Sequence, residues 1–129
     1  MAEIGMTRTV RAPYDDVLAR VPDLLKVEGF GVLTRIDVKA TLREKLGVDF
    51  RRYQILGACN PRLAHQALTA VANIGVMLPC NVVVQEAEDG GTRVTAVDPM
   101  QTIAAAEPVL RPIAEEVRAR LARVLEKLG

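Results

Sequence analysis

The chain has 129 residues, half of them apolar, and 17 basic against 16 acidic side chains leave a net charge of +1. That length suits one ordinary domain, able to bury about two thirds of its unfolded surface without disulfides or a structural metal. A near-neutral charge gives no field to draw in nucleic acid or an anionic membrane, and no apolar run reaches the roughly 18 residues of a membrane span.

With no Trp, two Phe and two Tyr, the core must be built from Val, Leu, Ile and Ala. The opening MAEIGMTRTV has neither the basic start nor the apolar run of a secretory leader. Two cysteines far apart in sequence form neither a disulfide framework nor a CxxC motif, so free thiols in a reducing cytoplasm are expected.

Glu3 to Val10 alternates, with Ile4, Met6 and Val10 to one side, and predicts an amphipathic first strand. Ala12-Pro13 opens a helix, since proline suits the first helical position and the dipole favours Asp15 and Asp16 in the first turn. Val17, Val21, Leu24 and Leu25 supply its buried face. Pro22 removes the N–H that would bond the Leu18 carbonyl, which predicts a kink or a split, and Gly29 ends the helix. Phe30 to Asp37 reads as a second strand, with Phe30, Val32, Thr34 and Ile36 on one face and Gly31, Leu33 and Arg35 on the other. Asp37 can cap a short helix closed by Gly47, although its weak stripe of Ala40, Leu42 and Leu46 also fits an extended excursion over the sheet edge. Val48 to Ala58 is the third strand.

Asn60-Pro61 marks the next helix start, with the Asn side chain as cap and Pro in the first turn. Leu63, Ala64, Ala67, Leu68 and Val71 share one face, and Asn73-Ile74-Gly75 breaks the helix. A fourth strand runs from Cys80 to about Ala87, and its Val82-Val83-Val84 core is apolar on both faces. Such a strand is central and doubly covered, or lies at a subunit interface. Asp89-Gly90-Gly91 signals a hairpin into a last strand, Thr92 to Asp98. After a short linker, Glu107 to Leu128 forms the longest helix, buried along Ile113, Val117, Leu121, Val124 and Leu128. Pro108 and Pro112 limit how early it begins. One domain over residues 1–129 is expected, an α+β fold with a mainly antiparallel sheet and helices packed on one face.

Chemistry concentrates between Ile55 and Val84, which hold both cysteines, the only histidine and two Cys-Asn pairs, each beside a proline. The candidate ligand-binding residues are Cys59, Asn60, His65, Cys80 and Asn81. Thiolates and imidazole suit zinc or copper, but Cys59-x5-His65 matches no common ligand spacing and a fourth ligand is missing. No metal and no cofactor are expected. At about 100° per residue, His65 projects with Arg62, Gln66 and Thr69, away from the Leu63–Leu68 face, as an exposed side chain. Cys59 directly precedes a helix N-terminus, which favours a thiolate; the plain alternative is that both cysteines are small buried apolar residues. Asn60 reads as a helix cap, and Asn81 as holding a turn or a ligand through its amide. Asp37, Lys39, Lys45 and Asp98 suit the lining of a polar pocket but read first as a solvated face. There is no GxSxG, P-loop or HExxH.

The run EGFGVLTRIDVKATLREKLGVDFRRYQILGACNP, followed in order by LAHQAL, MLPCNVVV and VDPM, resembles the bacterial and archaeal domain-of-unknown-function family numbered 302. The resemblance spans nearly the whole chain. It implies a β-α-β-β-β-β-α order with an extra helix between strands, similar in fold to the TATA-box-binding protein without its DNA binding. Its motif residues fall here on Gly57, Cys59, Asn60, Pro61 and His65, and on Pro79, Cys80 and Asn81. The family carries no established reaction.

The expected function is binding of a small ligand or partner near the two Cys-Asn pairs, in a cytoplasmic homodimer. The alternative is thiol-dependent redox or metal handling through Cys59 and Cys80.

Overall fold

The computed structural model of the protein describes residues 3–129; Met1 and Ala2, the start of the segment read above for a leader, lie outside the described residues. Among the described residues, five strands form one sheet: β1 (Met6–Val10), β2 (Gly31–Asp37), β3 (Tyr53–Cys59), β4 (Cys80–Glu86) and β5 (Thr92–Ala96). Their order is β1-β5-β4-β3-β2, and every pairing is antiparallel. Between and after them lie α1 (Tyr14–Val27), α2 (Val38–Leu46), α3 (Pro61–Ala70), the short α4 (Ile103–Ala106) and α5 (Arg111–Glu126). The fold is α+β.

Alternation along the strands divides the sheet into two faces. Leu56, Ala58, Val82, Val84, Val94 and Ala96 all point to one, and each is buried. Val17, Val21 and Leu25 of α1 and Val117, Leu121 and Val124 of α5 close over them in a single cluster. Burying an aliphatic side chain of this kind contributes roughly 1.5–3 kcal/mol, so this layer is the main source of stability. A smaller cluster joins Ala67 and Ile74 to Ile103, Ala104, Leu110 and Ala114, and Ile113 packs against both.

That packing overrides Pro22. The helix α1 continues through it from Tyr14 to Val27, so the expected split does not occur. The proline costs about 3 kcal/mol in a helix interior, and three fully buried side chains on the same helix outweigh it. The end of α1 follows its sequence. Gly29 takes φ +87°, its N–H donates to the Lys26 carbonyl, and the Phe30 N–H donates to the Leu25 carbonyl. This is the paired-bond stop that a left-handed glycine permits, with Phe30 folded back beside Leu25 in the core. In α2, Asp37 Oδ1 accepts the Ala40 N–H at 2.9 Å and Gly47 closes the helix at φ +68°, so the helical alternative holds and the extended one does not.

Other expectations need correcting. The first strand begins at Met6, since Gly5 turns the chain at φ +73° and leaves Ile4 exposed. The alternation of β2 breaks at a bulge between Val32 and Thr34. Val32 therefore faces the core beside Ala58, while Thr34 and Ile36 face outward opposite Gly57 and Ile55, and Leu33, left unpaired by the bulge, is largely exposed at the rim of the cavity described below. The third strand starts only at Tyr53. Before it, Lys39 Nζ donates to the Phe50 carbonyl at 2.7 Å, and the Arg52 N–H donates to Glu86 Oε1 at 2.7 Å. The segment around Asn73-Ile74-Gly75 does end α3, but as a 3-10 turn over Ala72–Met77. The linker before the last helix is ordered as α4 and a 3-10 turn, Pro108–Leu110, which build the second cluster. Consequently α5 begins at Arg111. Asp98 is buried: its carboxylate accepts the Met100 N–H at 2.9 Å and Arg118 Nε at 3.1 Å. Val82-Val83-Val84 is central but covered on one side only, since Val83 lies on the outer face and belongs to neither cluster.

Candidate functional site

The site begins where β3 ends. Asn60 Oδ1 accepts the Leu63 N–H at 3.2 Å, and Pro61 starts α3 with its fixed φ. This cap turns the chain off the sheet so that Leu63, Ala64 and Ala67 face back toward it. Val71, extended at φ −138°, stops α3; the 3-10 turn returns the chain, and Leu78 with the cis Pro79 delivers Cys80 to β4. Cys80 pairs with Ala58, one position from Cys59. The excursion thus leaves and rejoins the sheet on neighbouring strands, and it borders a half-open cavity of about 270 Å3.

Nearly all of the wall is apolar. Phe30 and Leu33 enter from β2 and its approach, Leu78 and Pro79 from the return, and Ile113 and Val117 from α5. The polar contributors are Asn60 and the two thiols, which are free. The Asn60 amide is engaged at both ends, because its Nδ2 also donates to the Glu28 carbonyl at 3.5 Å. Gly29 makes this approach possible: a Cβ there would sit 2.9 Å from Asn60 Nδ2.

Behind Asn60 stands a charged anchor. Glu28 is buried, and Arg123 donates to its Oε1 through Nε at 3.0 Å and Nη2 at 2.9 Å. Arg120 Nη1 donates to the Glu28 carbonyl at 3.0 Å. The Arg123 hydrogen bonds hold the Glu28 carboxyl below the usual range against the opposing effect of burial. One residue thereby ties the end of α1 to α3 and α5, which form the cavity's far wall.

Burial, and then the neighbouring Cys59, push the Cys80 thiol up to about 11. It is a neutral S–H at physiological pH, a weak donor and a poor nucleophile. On the outer face, Gly57 is dictated by its neighbours, since a Cβ there would run into Thr34 Oγ1 and lie 2.8 Å from Pro79 Cγ.

Of the five residues singled out in the sequence, Cys59, Asn60 and Cys80 line the cavity. His65 does not; it is exposed on α3, where its carbonyl accepts the Thr69 hydroxyl at 2.7 Å. Asn81 does not either. It pairs with Gly57 and alternation sends it to the outer face of the sheet. Phe30, Leu33, Leu78 and the α5 wall were missed. Leu33 was legible only through the bulge, which leaves no sequence mark, and Ile113 and Val117 read equally well as ordinary core. Among the described residues, no group of three or more His, Cys, Asp or Glu side chains is placed to hold a metal ion.

At the other end of the sheet lies a separate polar cluster. The Arg52 guanidinium sits 4.8 Å over the Tyr14 ring and pairs with Asp15 and Glu86, each at 3.2 Å. Burial and the nearby Asp37 push the Tyr14 hydroxyl up to about 12. No helix among the described residues is long and apolar enough to cross a membrane.

No protein of curated function matches the chain. The crystal structure of an uncharacterized conserved protein DUF302 from Bacillus stearothermophilus superimposes with a TM-score of 0.88 at 34% identity, over 97% of this chain and 98% of that one. The model of the domain of unknown function DUF302 matches residues 6–128. From the β1 strand to the end of α5, this chain belongs to the DUF302 family.

Proposed function

We propose that the protein binds a small, uncharged, largely apolar molecule in the cavity between the β3–β4 ends, α3 and α5. One observation carries this reading: the cavity wall is apolar, and its one strong polar group, the Asn60 amide, already has both ends bonded. A charged ligand would find no ionic partner there and at most the spare N–H and lone pair of that amide, too little to replace its hydration, at a cost of several kcal/mol. An apolar cavity of about 150 Å3 takes up benzene, so this one suits roughly ten heavy atoms. The two sulfurs add polarizable, weakly polar contacts. In this reading the protein is cytoplasmic, in keeping with two unpaired thiols on adjoining strands, and it works as a homodimer, the outward Val83 of the central strand being the motive.

The high pKa of Cys80 weighs against redox or metal handling through the two cysteines. Thermal unfolding tests the reading. Naphthalene, which has about ten heavy atoms, stabilises the protein by roughly 2.7 kcal/mol at a hundredfold excess over Kd. Naphthalene carboxylate does not. The effect disappears in Ala64→Phe, whose ring fills the space. Equal stabilisation by the carboxylate, or an undiminished effect in the filled variant, contradicts the proposal.

A further inference from the structure

We infer that two copies of the chain meet through the outer face of the sheet; this rests on the homodimer reading above and assigns its surface. The strand register aligns one row across all five strands: Ile36, Ile55, Val83, Thr95 and Thr7. Every member is β-branched. A sheet face built for water carries charged side chains, and a quarter of this chain is charged. Yet the central row has no charge, and its two flanking rows contribute only Arg93. Depletion of charge at the centre is the compositional mark of an interface core.

β-Branched side chains are stiff at χ1, so little rotamer freedom is lost when a partner covers them. The polar atoms on the face are already matched in part. The Thr7 and Thr95 hydroxyls bond each other at 2.9 Å, and Gln85 Oε1 accepts from Arg51 Nε at 3.0 Å. Covering them does not strand them. Helices α1 and α5 pack on the opposite face, and Ile55 and Val83 belong to neither apolar cluster.

Area favours a second copy as the occupant. The chain exposes 7610 Å2, whereas a compact monomer of 14.0 kDa exposes about 6,700 Å2. The excess, about 900 Å2, is close to one partner's share of a standard interface. Five strands about 4.8 Å apart, each five to seven residues long, present roughly 400–550 Å2 before side-chain relief is counted. Two such faces bury about 1,000 Å2, the scale at which specific association begins. Its cations, Arg93 and the Arg51 that reaches Gln85, lie along one flanking row, so a two-fold pairing that sets this row against the uncharged Thr34-Gly57-Asn81 row keeps like charges apart.

Sedimentation of the full chain and of Val83→Lys across the micromolar range tests this. The unmodified chain sediments as two copies, and Val83→Lys dimerises about a hundredfold more weakly because its ammonium would be buried without a partner. A single-chain mass for the unmodified protein overturns the homodimer reading and the surface together. Undiminished dimerisation of a folded Val83→Lys overturns the surface and leaves the homodimer standing. Methyl spectra of the unmodified chain decide the matter even if the variant fails to fold. On dilution the Ile36, Ile55 and Val83 methyls shift while those of buried Val82 do not, and shifts confined to other methyls overturn the assignment.

Discussion

Glu28 shows how a single buried side chain can hold the wall of a cavity in place. Its carboxylate receives two hydrogen bonds from Arg123, and its carbonyl receives Arg120 and Asn60. Because Arg123 depresses the folded-state pKa below that of the unfolded chain, the ion pair stabilises fully above the unfolded carboxyl's pKa. That contribution is lost as pH falls through the lower, folded value. Arg123→Met is therefore less stable than the parent near neutral pH, and the gap narrows in acid; urea melts at several pH values measure it. Asn60→Ala removes the α3 cap and costs about 0.5–2 kcal/mol in the same assay. It also leaves the cavity mouth without its anchor to Glu28. Cys80, with its thiol at about 11, resists iodoacetamide at pH 8 in the folded protein and reacts promptly once unfolded. Rapid alkylation in the native state would count against a buried, neutral thiol.

At the scale of elements, the α3 excursion and its 3-10 return are what create the cavity. Leu63 projects from α3 into both the core and the cavity wall. Leu63→Ala should cost about 2–5 kcal/mol and enlarge the site, so that ligands bulkier than naphthalene gain affinity, as calorimetry would show. Much of this region was legible in the sequence, because Asn60-Pro61 has a local mechanism that needs no tertiary partner. The Gly29 stop and the Asp37–Gly47 bounds of α2 were legible for the same reason. Elements decided by long-range packing were not. Pro22 argued for a break that the fully buried faces of Val17, Val21 and Leu25 prevent. The β2 bulge reversed the facing of Thr34 and Ile36, and a one-residue slip of that kind leaves no trace in a hydrophobic pattern. Ile103 to Ala106 looked like linker because four residues carry too little periodicity, although they complete the second cluster.

For the whole molecule, alternation across β3 and β4 separates two roles. Cys80 belongs to the cavity, while Asn81 and Val83 belong to the outer face. The sequence placed the two Cys-Asn pairs in one site; the structure keeps the cysteines together and sends Asn81 to the other side of the sheet. Ligand affinity in Val83→Lys should accordingly match that of the parent chain even as its association weakens. Calorimetry of both proteins with one apolar ligand checks this, and a joint loss would mean that the two faces are coupled.

The occupancy of the cavity is tested most directly by following methyl resonances during a naphthalene titration. Saturable shifts of the Leu63, Leu78, Ile113 and Val117 methyls are expected, with Val83 and Ile36 unmoved and no response from Ala64→Phe. Shifts scattered over the surface, or none among those four wall residues at saturation, would contradict it.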